Sequence, residues 1–292
     1  MSTQNLNGAI DHASASRESV SSYAEVAQRA QTCRSILATK GIKLHNASAL
    51  GQLFRNAERV AEAWATGSRD GDIRQVLNAA HADRISQSII LLQDELQILE
   101  PLKRIAGSDM NLSLRNLSQG KDALWELNLL AFLRQRQVQA NLIDPPDIVA
   151  ELGFGPYGIA CKKVYSERGV EAQMRKGAKR LLPFQGHGLI ALNLDDLAPS
   201  ETLLRCESKE TASAYLHQFN LDFVERHRRV LQRFVMDGKC DGILVSTTTP
   251  SDIEHSETRL NTFTQTALWT LNEISLGARL RIDTVGQTIT QR

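Results

Sequence analysis

Asp147, Lys162 and Glu126 form a candidate catalytic group of two carboxylates and an amine. Asp147 follows Pro146, and thirteen residues later comes Ala160, then Cys161, then Lys162. Two neighbouring strands would bring such a carboxylate and lysine side by side. Hard divalent cations take oxygen ligands, so carboxylates hold Mg²⁺ against a scissile phosphate. A lysine beside them neutralises charge on the phosphate or helps activate water. Side chains alternate along a strand, so Ala160 and Lys162 share one face while Ile159, Cys161 and Lys163 share the other. Glu126 lies upstream in Leu124-Trp125-Glu126-Leu127, inside an amphipathic helical run. The arrangement has one hole: Ala160 stands where a third carboxylate would complete the set.

The elements that must position these residues follow from periodicity. Residues 1–20 are polar and small, and disorder is expected there. Residues 21–106 carry apolar side chains three and four apart and read as a helical domain. Gly41 and Gly67 stop the first two helices, Asp72 caps a third, and Pro101 breaks or kinks the last stretch. The texture changes at 107, and residues 107–292 read as an α/β domain. A helix, KDALWELNLLAFLRQRQ, leads into the strand candidate VQANLI; DPPDIVAEL reads as a turn and a second strand, GFGPYG as a Gly/Pro hairpin connection, and GIACKKV as a third strand. A helix capped by Ser166 and the apolar strand GHGLIALNLD follow, giving the order α-β-β-β-α-β. A long amphipathic helix ended by Gly238 and the strand CDGILVSTTT come next, and the segment from 256 onward is ambiguous between helix and strand.

The stretch from Trp125 to Asp195 resembles the PD-(D/E)xK, or restriction-endonuclease-like, nuclease superfamily. Pro146-Asp147 is similar to its PD, and Ala160-Cys161-Lys162 to its (D/E)xK with the acid missing. Glu126 resembles the helix glutamate that many members add to the metal site, and Gln173 or Lys176 the polar helix residues that assist in some. The resemblance implies an α+β or α/β protein with a restriction-endonuclease-like αβββαβ core behind a helical domain. It implies a catalytic set of Asp147, Ala160, Lys162 and Glu126, with Asp147 and Glu126 as ligands of Mg²⁺ (or Mn²⁺). The implied function is metal-dependent hydrolysis of DNA or RNA phosphodiester bonds, in a form inactive or impaired by Ala160, with bacterial anti-phage defence as the setting. The alternative is a catalytically dead nuclease-fold protein that binds nucleic acid or assembles a complex. Three explanations of Ala160 stay open: a naturally degenerate member, transfer of the role to another acid with Glu151 first, or a Glu→Ala variant that silences a toxic nuclease.

Other residues carry weaker signals. Lys163, Lys176 and Lys179 are candidates for nucleic-acid contact, with Arg180 in the same basic cluster. The run Glu225-Arg226-His227-Arg228-Arg229 is a second basic stretch, for which a solvated helix face is the default. His187 sits in a loop, and His217 and His227 lie ten apart, which is no ligand spacing on one helix face. The four cysteines are scattered without a CxxC pair, which argues against structural zinc and for buried free thiols. With 34 basic and 33 acidic side chains, the net charge of +1 leaves a nucleic-acid partner to be decided by a local patch. No run of about 18 apolar residues exists, so no membrane span is expected, and the polar start lacks a signal-peptide core, so a cytoplasmic location is expected. The helical domain is the expected surface for any protein partner.

Overall fold

A computed structural model describes residues 9–67, 72–199, 203–254 and 260–290. Among them the chain forms eight α-helices and one mixed 8-stranded sheet. No helix among the described residues is long and apolar enough to cross a membrane.

The helices fall largely where the apolar spacing puts them: α1 Tyr23–Thr39, α2 Ala49–Ala65 and α3 Ile73–Leu91. Ser22 and Glu25 form a reciprocal capping box at the start of α1. Gly41, at φ 75°, takes the left-handed turn after it. Asp72 caps α3 by accepting from the Arg74 amide. Pro101 sits in the first turn of a separate helix, α4 (Leu99–Gly107), where its missing N–H costs nothing. It therefore interrupts the stretch by starting a new helix rather than by kinking one. α5 follows as Gln119–Gln135.

The first strand is a departure from the sequence reading. Ala9–Ser21 forms β1, thirteen residues paired antiparallel with β8 (Leu260–Leu271) from Ala9↔Leu271 to Ser21↔Leu260. Disorder was expected over most of this segment because its small polar residues cannot bury a core. A partner strand supplies the backbone hydrogen bonds instead, and composition does not reveal that partner. The ambiguous tail resolves into β8 followed by α8 (Leu276–Thr290).

The remaining elements are β2 Gln139–Ile143, β3 Asp147–Glu151, β4 Pro156–Lys163, α6 Val170–Arg180, β5 Gly188–Asn193, β6 Leu204–Cys206, α7 Lys209–Met236 and β7 Gly242–Ile253. The sheet runs β1-β8-β7-β5-β4-β3-β2, with β6 paired to β7. β2, β3 and β4 form an antiparallel meander, and β5 joins β4 in parallel across the α6 crossover. The expected α-β-β-β-α-β order is thus present as α5-β2-β3-β4-α6-β5.

Two apolar layers sandwich the sheet. One holds α1 to α5, with Phe54, Leu102, Leu130, Ile159 and Cys161 in a single buried cluster. That cluster runs continuously across residue 106, from the N-terminal helices into the sheet. The other layer holds α6 and α7, with Ala160, Met174, Ile190 and Phe223. Gly177 lets α6 lie close on the sheet: a Cβ there would stand 2.8 Å from the Ile190 side chain.

Candidate nucleic-acid interface

The two layers part at the end of the meander, and a cleft of about 1140 Å³ opens there. Its floor is the start of β3 and the end of β4, with Asp147, Cys161, Lys162 and Lys163. α4 and α5 flank it with Arg104, Asp122 and Glu126, and α6 flanks it with Gln173, Lys176, Lys179 and Arg180. Three of the four residues expected to act together, Asp147, Lys162 and Glu126, therefore meet in one cleft.

Asp147 is the hub. Its Oδ2 accepts from Lys162 Nζ at 2.9 Å and from the Cys161 amide at 2.8 Å. Its Oδ1 faces the Arg180 guanidinium at 2.6 Å. Arg180 also donates to the Pro146 carbonyl at 2.7 Å and to Asp144, which ties α6 to the turn before β3. Burial pushes the Asp147 carboxyl above its ordinary value, and Lys162, Arg180 and the Cys161 amide pull against that shift.

Glu126 comes from α5, which Trp125 pins to the sheet by donating Nε1–H to the Ala191 carbonyl at 3.1 Å. Its carboxylate is gripped on both oxygens by Arg104, at 2.6 and 3.2 Å. Burial raises its pKa too; Arg104 opposes the rise and the nearby Asp147 charge adds to it. Asp122, one helical turn before Glu126, lines the same cleft and accepts from the Tyr165 hydroxyl at 2.8 Å.

Two expected residues are placed differently. Ala160 shares the Lys162 face, as alternation requires, but it is fully buried beneath α6 among Met174, Ala178 and Ile190. Its methyl group does not reach the cleft, which Lys162 reaches because it is longer and nearer the strand end. Lys163 was expected to touch nucleic acid, but it is 5% exposed. Its ammonium turns inward to Asn193 at 2.7 Å and Asp196 at 3.2 Å, so its charge is already matched. Glu151, the first candidate for a relocated ligand, is exposed at the far end of β3 beside Pro156 and does not line the cleft.

Lys176 and Lys179 are exposed on α6, and no ion pair or hydrogen bond among the described residues engages either ammonium. The second basic run behaves as the bland reading expects. Arg226 and His227 both bind Glu167, and Arg228 pairs with Glu225. His187 is exposed in its loop, and the cysteines are free thiols.

The fit to a metal ion is poor as the chain stands. Among the described residues no three of His, Cys, Asp and Glu are placed to hold one. Asp147 and Glu126 are the two expected ligands, and cations already occupy both: Lys162 and Arg180 on the first, Arg104 on the second. Sequence reasoning missed Arg104, whose partner lies 22 residues away on another helix. It also missed Asp122, which the i,i+4 spacing to Glu126 could have flagged. Comparisons with protein-family models, with curated proteins and with solved structures each gave no match.

Proposed function

We propose that this protein is a restriction-endonuclease-like nucleic-acid-binding protein whose cleft holds the phosphodiester backbone of DNA or RNA, with hydrolytic activity absent or strongly impaired. The observation that carries the reading is the convergence of Lys162 and Arg180 on Asp147 inside a cleft that also presents Lys176 and Lys179, which no ion pair among the described residues engages. Asp147 orients the two inner cations, and the two outer ones meet an incoming chain of phosphates. Guanidinium and ammonium groups of this kind position a backbone without reading its sequence.

The α5-β2-β3-β4-α6-β5 order and the placement of Asp147, Lys162 and Glu126 support the nuclease-like origin. The buried methyl of Ala160 and the cation-capped carboxylates support the loss of activity. Mg²⁺ is held by carboxylate oxygens together with waters, and in this cleft lysine and arginine already pair with Asp147 and Glu126.

The test pairs two assays on the unmodified chain. Incubation with supercoiled plasmid and with RNA, in Mg²⁺ or Mn²⁺ against EDTA, is expected to leave both substrates intact. Filter binding of the same nucleic acids is expected to show retention at low salt. Rapid metal-dependent cleavage would overturn the impaired reading, and absence of retention would overturn the binding reading.

A further inference from the structure

The two walls of the cleft differ in kind. On the α6 wall stand Lys176, Lys179 and Arg180. On the other, α4, the segment before it, the loop before α5 and the end of β2 present Leu96, Leu99, Leu117 and Ile143. These four are solvent-exposed despite their size: Leu96 is 96% exposed and Leu117 79%. The cations on or near that wall are occupied, Arg104 by Glu126 and Lys103 by Glu100. The exposed acids Glu100 and Asp144 also border the cleft.

We propose that the cleft takes a single strand of nucleic acid, with its phosphates along α6 and its bases against the leucine wall. This rests on the nucleic-acid reading above and specifies its substrate class. A duplex carries phosphates on both flanks and hides the faces of its bases, so it would meet leucines and carboxylates on one side without compensation. A single strand has one charged edge and one apolar edge, which is the asymmetry the two walls show. Apolar contact with base faces does not depend on base identity, so the binding is sequence-tolerant.

The experiment measures fluorescence anisotropy of a labelled 20-nucleotide single strand, of the matching duplex and of the RNA single strand, using the full chain. The single strands are expected to bind about tenfold tighter than the duplex near physiological salt, about 1.4 kcal/mol, which is within what burying the apolar surface of one leucine against a base face supplies. Leu96→Ser with Leu117→Ser is expected to remove that preference while leaving duplex binding and the salt slope unchanged. Both side chains are exposed, so the fold has little to lose, and thermal unfolding of the double variant checks that it is retained. Equal or tighter binding of the duplex, or an unchanged preference in the leucine variant, overturns the single-strand inference and leaves backbone binding standing. Binding of none of the three probes overturns both.

Discussion

At the scale of single residues, the site is a balance of buried charge. Asp147 and Glu126 would repel a phosphate if bare; Lys162 and Arg180 neutralise the first and Arg104 the second. Burial raises both carboxyl pKa values, so on acidification these two protonate before ordinary exposed carboxylates do. Each proton removes a negative charge from the cleft. Affinity for nucleic acid is therefore expected to rise as pH falls toward the upper edge of the carboxylate range. Asp147→Asn with Glu126→Gln should flatten that rise; an identical pH profile in the double variant would assign it to other groups. The resemblance reads position 160 as the place of an acid, but the burial of Ala160 beneath α6 was not legible, because strand parity gives the face and not what covers it. Ala160→Glu places a carboxylate in an apolar layer beside Asp147, which costs stability unless a cation joins them. The melting temperature is expected to fall, to recover in part with Mg²⁺ but not with EDTA, and to be accompanied by plasmid nicking that Ala160→Glu with Lys162→Ala lacks. A variant whose melting and nicking ignore Mg²⁺ would show that position 160 does not complete a metal site.

At the scale of elements, the meander and the crossover were readable because each strand is short, apolar and bounded by turn residues. The cis-linked Asp144-Pro145-Pro146 turn and the Gly153–Gly155 connection delimit β3 as the sequence suggests. Residues 9–21 were not readable, since pairing with β8 is a non-local fact and local composition argued for disorder. The fate of Lys163 was hidden for the same reason: its partners, Asn193 and Asp196, lie about thirty residues away, at the end of β5 and just beyond it. α6 carries Lys176, Lys179 and Arg180, on which the proposed phosphate contact depends, and Gly177 sets its distance from β5. In Gly177→Ala the new methyl would stand 2.8 Å from Ile190 and push the helix outward. Overpacking of this kind costs about 1–3 kcal/mol. The variant is expected to unfold at lower temperature and to bind nucleic acid more weakly, through displacement of Lys176, Lys179 and Arg180. Unchanged binding would place the phosphate track elsewhere.

At the scale of the whole molecule, 34 basic and 33 acidic side chains nearly balance. Most basic side chains are matched locally, as Arg226 is by Glu167 and Arg281 by Asp241. Lys176 and Lys179 in the cleft are exposed, and no ion pair among the described residues engages either. The helical layer closes over one face of the sheet and is joined to β1 by a buried network, in which Asp83 accepts from Ser21, Arg29 and Gln87. It thereby forms the cleft's second wall. The most direct test of backbone binding is the salt dependence of affinity, because each phosphate neutralised by a lysine or arginine releases a counterion. The slope of log affinity against log salt is about 0.7 per contact for single strands and about 0.9 for duplex. Wild-type protein is expected to show a slope corresponding to several contacts, and Lys176→Gln with Lys179→Gln to reduce it by about two contacts without changing the unfolding temperature. A slope near zero, or one that the double lysine variant leaves unchanged, would contradict the assignment of this cleft as the nucleic-acid site.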